Sequence, residues 1–253
     1  MRVNKEKKSR VTTITIEHPP VNVLGIELLR DLDQELSACA ADSTTDVVVL
    51  RGAGTRAFSA GMEIRDHTRE KVPEMLEIVH SVIRKLLALP QVTIAAVRGV
   101  CFGGGCELAT SCDLIVASED SSFATPEINV GCYPPVALAR FSTLIGYHRA
   151  AEMILTGRRY SAQEALDLGL VNRVFGEDQF DIGLTSLLEE LLSKSGAVMR
   201  IALKGLRESS LRDFSGALSR SEEIYCGELL DTEDVDEGVR AFLEKRKPSW
   251  QHR

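Results

Sequence analysis

One pattern occurs twice along this chain and limits what it can fold into. "DVVVLRG" (Asp46–Gly52) and "TIAAVRG" (Thr93–Gly99) are short apolar runs that end in Arg-Gly. Each leads through a loop to a small residue with glycine, in "FSAGMEI" and then in "FGGGCEL". Runs this short and this apolar read as buried strands. Two copies of one plan predict two similar turns of an α/β coil. Each turn ends in a loop with exposed backbone N–H groups at a helix start.

The rest of the chain fits around these turns. Val11–Glu17 alternates and is β-branched, which predicts a strand. The prolines of "HPPVNV" predict a turn. Ile26, Leu29, Leu32 and Leu36 recur at helical spacing, and Pro73–Leu89 is an amphipathic helix that stops at Pro90. Leu114–Ala117 reads as a further strand, and "TRAFSAGMEIRDH" as loop. From about residue 137 helices dominate. Ser161 and Glu164 have the spacing of a capping box, and Gly169 is a helix stop. Further helical patterns cover roughly residues 183–193, 196–209, 214–230 and 234–246. The expected organisation is an α/β core over residues 1–195 and a helical region over residues 196–253.

Composition excludes several function classes. The 253 residues carry a net charge of −7, which disfavours a nucleic-acid surface. No stretch approaches a membrane span, and the start "MRVNKEKKSR" lacks the apolar run of a secretory signal. Lys5, Lys7, Lys8 and Arg10 read as a solvated basic terminus. The six cysteines form no CxxC pair and offer no metal-ligand spacing, which fits buried reduced thiols in a cytoplasmic protein.

Two oddities carry the chemistry. Gly103-Gly104-Gly105 stands directly before a buried helix, where free N–H groups and a positive dipole end stabilise an anion. The segment lacks the features of a phosphate loop, so an oxyanion hole is one reading. Tight strand–helix packing is the other, and the residues alone leave both open. Glu107 lies one turn into that helix and Glu127 sits in "FATPEINVG", each in apolar surroundings. A pair of buried carboxylates can divide acid and base roles, although spacing alone does not bring the two together.

"AFSAGMEI", "GVCFGGGCELATSCDLIVASED", "FATPEINVG", "LTGRRYSAQEALDLGLVNRV" and "DEGVRAFLEKRKP" together resemble the enoyl-CoA hydratase/isomerase (crotonase) superfamily, in the family's order, from about Val11 to Pro248. Within it, "PPVNVL", "FSAGMEIRDHT" and "GCYPPVALA" resemble the cyclic dienoyl-CoA hydratases. The resemblance implies a spiral of ββα turns with a helical C-terminal trimerisation region, and a homotrimer or homohexamer. It implies an acyl-CoA substrate and no metal or redox cofactor.

It also implies roles. The backbone N–H groups of Met62 and Gly104 would hold the thioester oxygen. Glu107 would activate water and Glu127 would protonate carbon. Ala60, Glu63 and Ile64 would lie near the bound coenzyme A. Phe242 and Lys245 would approach the coenzyme A of a neighbouring subunit. Retention of both glutamates implies hydration of an α,β-unsaturated acyl-CoA, with cyclohexa-1,5-diene-1-carbonyl-CoA as the cyclic candidate. Hydration of linear enoyl-CoA, isomerisation, decarboxylation and RNA binding are the alternatives. The stretch Tyr133-Pro134-Pro135 departs from the glycine-rich segment of common hydratases. Tyr133, Pro134 and His67 either shape the acyl pocket or serve packing and surface roles.

Overall fold

The computed structural model describes residues 1–252. In chain order its strands are β1 (Arg2–Lys8), β2 (Val11–Glu17), β3 (Val47–Gly52), β4 (Ala57–Ser59), β5 (Val92–Val97), β6 (Val100–Phe102), β7 (Leu114–Ser118), β8 (Ser122–Ala124), β9 (Tyr160–Ser161) and β10 (Arg173–Phe175). They form two sheets. The larger has the order β1-β2-β3-β5-β7-β10 and the smaller β4-β6-β8-β9. The repeated pattern is the reason. Each apolar run supplies one strand to the large sheet, and the Arg-Gly turn passes the chain to the small sheet. β3–β4 and β5–β6 are two such turns, and β7–β8 is a third that the sequence pattern did not single out. Within each sheet these strands pair in parallel.

Both faces of the large sheet are buried, as the continuous apolar runs require. Val48 and Leu50 face the main core, and Val47 and Val49 face a second cluster with Ile94 and Val116. On the main-core side lie α1 (Ile26–Ala41) and α2 (Val72–Ala88), packed against each other. The short helix α3 (Gly104–Thr110) follows β6, and α4 (Pro135–Ile145), α5 (Tyr147–Thr156) and α6 (Ala162–Asp167) follow β8. The capping box at Ser161–Glu164 opens α6. The other face is covered by α7 (Phe180–Leu192) and by Leu203 of α8 (Gly196–Ser210). The chain ends in α9 (Phe214–Gly227) and α10 (Glu233–Leu243). Beyond residue 196 the helices still serve the main core, through Leu218, Tyr225 and Val235.

One helix boundary needs correction, and the exposed basic terminus proves to be ordered. The basic terminus is strand β1, paired antiparallel with β2 from Arg2↔Glu17 to Lys8↔Val11. Its charges are used: Arg2 pairs with Glu17 at 2.6 Å, Lys7 with Asp42 at 2.5 Å, and Lys5 with Glu35. Charged side chains suit an edge strand, since they discourage pairing with another chain. The last helix stops at Leu243, not near residue 246, because Lys245 turns to φ +54°. No helix among the described residues is long and apolar enough to cross a membrane.

The small sheet positions the site. β4, β6 and β8 lie side by side in parallel, so the loops that leave their C-terminal ends are neighbours. Those loops are Ala60–Met62, Gly103–Gly104 and Thr125–Glu127.

Candidate active site

The first loop presents a free donor. Leu24 bridges Met62 in parallel fashion: Leu24 N–H donates to the Gly61 carbonyl and Glu63 N–H to the Leu24 carbonyl, each at 2.9 Å. In a parallel ladder a residue bonds the two neighbours of its partner, so the N–H of Met62 itself faces the opposite way. It meets no protein acceptor among the described residues.

The second loop presents another. Gly103 adopts φ +54° and ψ −130°, a conformation L side chains rarely take, and this swings the chain from β6 into α3. Gly104 is then the first helical residue, whose N–H has no acceptor within the helix. The two backbones are in contact. A Cβ on Gly104 would lie 2.9 Å from Met62 Cγ and 3.7 Å from Met62 N. A side chain at residue 104 would therefore have to displace the Met62 side chain.

The carboxylates complete the site. Glu107 is 3% exposed, and its Oε1 accepts from the Ala137 N–H at 3.0 Å. Burial pushes its pKa up to about 7, against the opposing pull of the Ala137 and Val136 N–H groups at the start of α4. Pro135 supplies the first turn of that helix, where a missing N–H costs nothing. The Tyr-Pro-Pro departure thus fixes the helix start that holds Glu107. Glu127 stands in a 3-10 turn, Pro126–Val130, and its buried Oε2 has no hydrogen-bond partner among the described residues. Burial first, then the nearby charge of Glu107, push its pKa up to about 8. The two titrate as one unit.

Two cavities meet here. An outer one of about 300 Å³ is lined by Ala60, Met62, Ile64, His67, Gly103, Glu127, Phe242, Arg246 and others. An inner chamber of about 20 Å³ is lined by Met62, His67, His80, Glu107, Glu127, Tyr133, Pro134, Pro135 and Tyr225 together with apolar residues of α2. Met62, His67 and Glu127 belong to both and form the neck. His67 is buried there, its Nδ1 3.2 Å from the Glu63 carbonyl, and burial lowers its pKa. The Tyr133 hydroxyl donates to the Ser221 carbonyl at 2.7 Å, and its ring stands edge-on to Tyr225.

Of three further expected residues, only Phe242 lines a cavity of this chain. Glu63 lines neither cavity; its carboxylate accepts from Arg65 N–H at 3.4 Å. Phe242 lines the outer cavity of its own chain, because α10 packs over the Pro126–Val130 turn. Lys245 lines neither cavity, because its left-handed backbone carries the chain off the helix and brings Arg246 to the cavity wall instead. The charge of Arg246 is engaged by Glu237, with Nη2 to Oε2 at 2.9 Å. Glu237 also accepts from Arg240 at 2.7 Å and from Ser249 N–H at 2.7 Å, and these partners hold it below the usual carboxylate range. Glu237→Ala is expected to release the tail that bears Arg246 and Pro248. The expected result is faster trypsin cleavage after Arg246 and a KM raised about 3- to 10-fold for an acyl-CoA, with kcat nearly unchanged.

One residue escaped sequence reasoning. His80 of α2 is fully buried and lines the inner chamber. Leu76, His80 and Ile83 fall on the helix's apolar stripe, and a polar ring on that stripe is the signal that could have found it.

A parallel spiral that gathers paired acids and backbone donors at its strand ends defines an enzyme of acid–base chemistry at a carbonyl group. Comparisons with known proteins narrow this class. The family model for enoyl-CoA hydratase/isomerase matches residues 6–253. The chain belongs to that family, has the crotonase fold, and is an enzyme of the enoyl-CoA hydratase type, a carbon–oxygen lyase. It is 32% identical to a short-chain-enoyl-CoA hydratase from Clostridium acetobutylicum, covering 96% of this chain and 94% of that protein. It is 28% identical to a cyclohexa-1,5-dienecarbonyl-CoA hydratase from Thauera aromatica, covering 100% of this chain and 97% of that protein. An enoyl-CoA hydratase crystal structure from Mycobacterium avium subsp. paratuberculosis superposes with a TM-score of 0.90 at 27% identity, covering 98% of each chain.

Proposed function

We propose that this chain adds water across the double bond of a compact α,β-unsaturated acyl-CoA, with cyclohexa-1,5-diene-1-carbonyl-CoA as the leading substrate. The observation that carries the hydration reading is the pair of buried carboxylates on one small chamber beside two unpartnered N–H groups. The thioester oxygen sits between Met62 N–H and Gly104 N–H, which stabilise the negative charge that develops there. Glu107 takes a proton from water, whose oxygen bonds to the electrophilic carbon of the unsaturated acyl group. The double-bond electrons move onto the thioester oxygen. Glu127 then delivers a proton to carbon as the carbonyl reforms. The charge is handled by backbone donors, so this reading needs no metal or redox group, only the coenzyme A thioester.

The ring is supported by the resemblance around Tyr133-Pro134-Pro135 and by the full-length relative from Thauera aromatica. A second reading, a short linear acyl group, is favoured by the full-length relative from Clostridium acetobutylicum, a short-chain-enoyl-CoA hydratase. Assembly as a homotrimer or homohexamer belongs to the same proposal. The exposed Val198, Ile201 and Leu206 of α8 support it.

The test is a product assay on cyclohexa-1,5-diene-1-carbonyl-CoA and crotonyl-CoA side by side. Preferential formation of a hydroxycyclohexenyl thioester supports the ring. Fast hydration of crotonyl-CoA alone selects the linear reading. Turnover of neither thioester overturns hydration.

A further inference from the structure

The inner chamber holds two buried polar atoms without partners: Glu127 Oε2 and His80 Nε2. Their chamber, about 20 Å³, is the size of one water molecule's site. A buried water needs two to four polar partners, and an orphaned buried acceptor is costly. Glu107 lies on the same wall.

The state of His80 follows from its neighbours. Nδ1 of the ring meets Glu222 Oε1 of α9, and Arg84 Nη2 reaches the same oxygen at 3.3 Å. A carboxylate oxygen flanked by a guanidinium accepts, so Nδ1 carries the hydrogen and donates it. Burial and the charge of Arg84 lower the pKa of His80, with Glu222 opposing, which leaves the ring neutral. A neutral imidazole that donates from Nδ1 has a lone pair on Nε2 and is an acceptor there.

We propose that His80, oriented by Glu222, is a third residue of the water site, accepting one hydrogen of the nucleophilic water through Nε2. This rests on the hydration reading. The assignment uses both hydrogens of the water. One passes to a glutamate as the oxygen–carbon bond forms. The other stays on oxygen, held by His80, and becomes the hydroxyl hydrogen of the product. His80 fixes the direction of the oxygen lone pair toward carbon, and Glu222 acts only through His80. The same site serves a ring or a linear acyl group, since it contacts the water and not the chain.

The experiment compares His80→Leu, which removes the acceptor, with His80→Gln, which keeps one. Two rates are read: hydration, on whichever of the two thioesters above is turned over, and deuterium exchange at the α-carbon of butanoyl-CoA. Exchange needs the oxyanion donors and a carboxylate but no nucleophilic water. His80→Leu is expected to lower kcat for hydration by roughly 10- to 100-fold, the range of one buried hydrogen bond, and to leave α-exchange within about twofold. His80→Gln is expected to recover part of the loss. Equal losses in both rates, or hydration unchanged in His80→Leu, would overturn the assignment while leaving hydration standing. A high-resolution crystal structure of the unliganded wild-type protein gives an independent reading. Water density within hydrogen-bond distance of His80 Nε2 and a glutamate oxygen is expected. A dry chamber overturns the water site whatever the enzyme turns over. Water there without hydration of either thioester overturns the hydration reading alone.

Discussion

Glu127→Gln is expected to lower kcat by about 10²- to 10⁴-fold, the loss typical of removing a positioned acid or base. Binding of a saturated acyl-CoA should change little, because the donors proposed to hold the thioester are backbone groups on other loops. Glu107→Gln should lose a similar amount, and the double variant scarcely more than either, since the two acids act on one reaction coordinate. The wild-type pH profile follows from the raised pKa values. The productive form of the pair holds one proton between its two carboxyls. With values of about 7 and about 8, kcat/KM should trace a bell with its top between them, falling in acid and in base. A profile flat from pH 6 to 9 would remove the paired-acid mechanism.

The same pair makes a stability prediction with a definite sign. Glu107 keeps its proton to about pH 7 in the fold, against 4.5 for the free side chain. Between those values the native state binds more protons than the unfolded chain, so stability falls as pH rises through this window. Glu107→Gln removes the titrating group while its side-chain oxygen can still accept from Ala137. The variant should therefore gain in Tm relative to wild type at pH 8.5 and gain little at pH 4.5. Calorimetry at the two pH values checks this, and an inactive yet stabilised variant is the expected combination.

Gly103→Ala is the second large effect. The residue sits at φ +54° and ψ −130°, outside the left-handed helical region, where a Cβ costs about 1–3 kcal/mol on backbone grounds. That Cβ would also come within 2.7 Å of Glu127 Oε1. Either the loop relaxes and withdraws the Gly104 N–H, or the carboxylate is displaced from the neck. Loss of one oxyanion donor costs about 10²- to 10³-fold in kcat. The expected result is a fall of at least about 10²-fold in kcat together with a lowered Tm. Met62→Leu offers the contrast: the donor is main chain, so its activity should stay within a few-fold of wild type. If Gly103→Ala kept full activity, the loop geometry would not be what presents the donor.

Much of this arrangement is legible in the sequence, for a physical reason. Buried parallel strands need continuous apolar runs, and sharp strand-to-helix turns need glycine, so "VVVLRG", "IAAVRG" and the triple glycine carry the spiral in plain view. The amphipathic α2 and the Ser161 cap were legible on the same grounds. β1 was not, because its seven residues are mostly charged and it draws its order from pairing with β2, which leaves no hydrophobic period. The partner of His80 stands 142 residues away on α9, beyond any local pattern. Lys245 and Arg246 differ by one residue, yet a single left-handed turn decides which of them faces the cavity.

The three neighbouring ends of β4, β6 and β8 have a consequence for how such a chain tolerates change. The pair of backbone donors is encoded less in the identity of its side chains than in the length of its connections. Met62 can be exchanged for a side chain of similar size, but one residue inserted between Phe58 and Met62, or deleted from Phe102–Gly104, shifts a donor by a full step of about 3.3 Å relative to its neighbour. A library built on this scaffold should therefore conserve loop lengths to the residue and vary the walls. Deep mutational data on it would show point changes spread widely and length changes confined to the far side of the sheet.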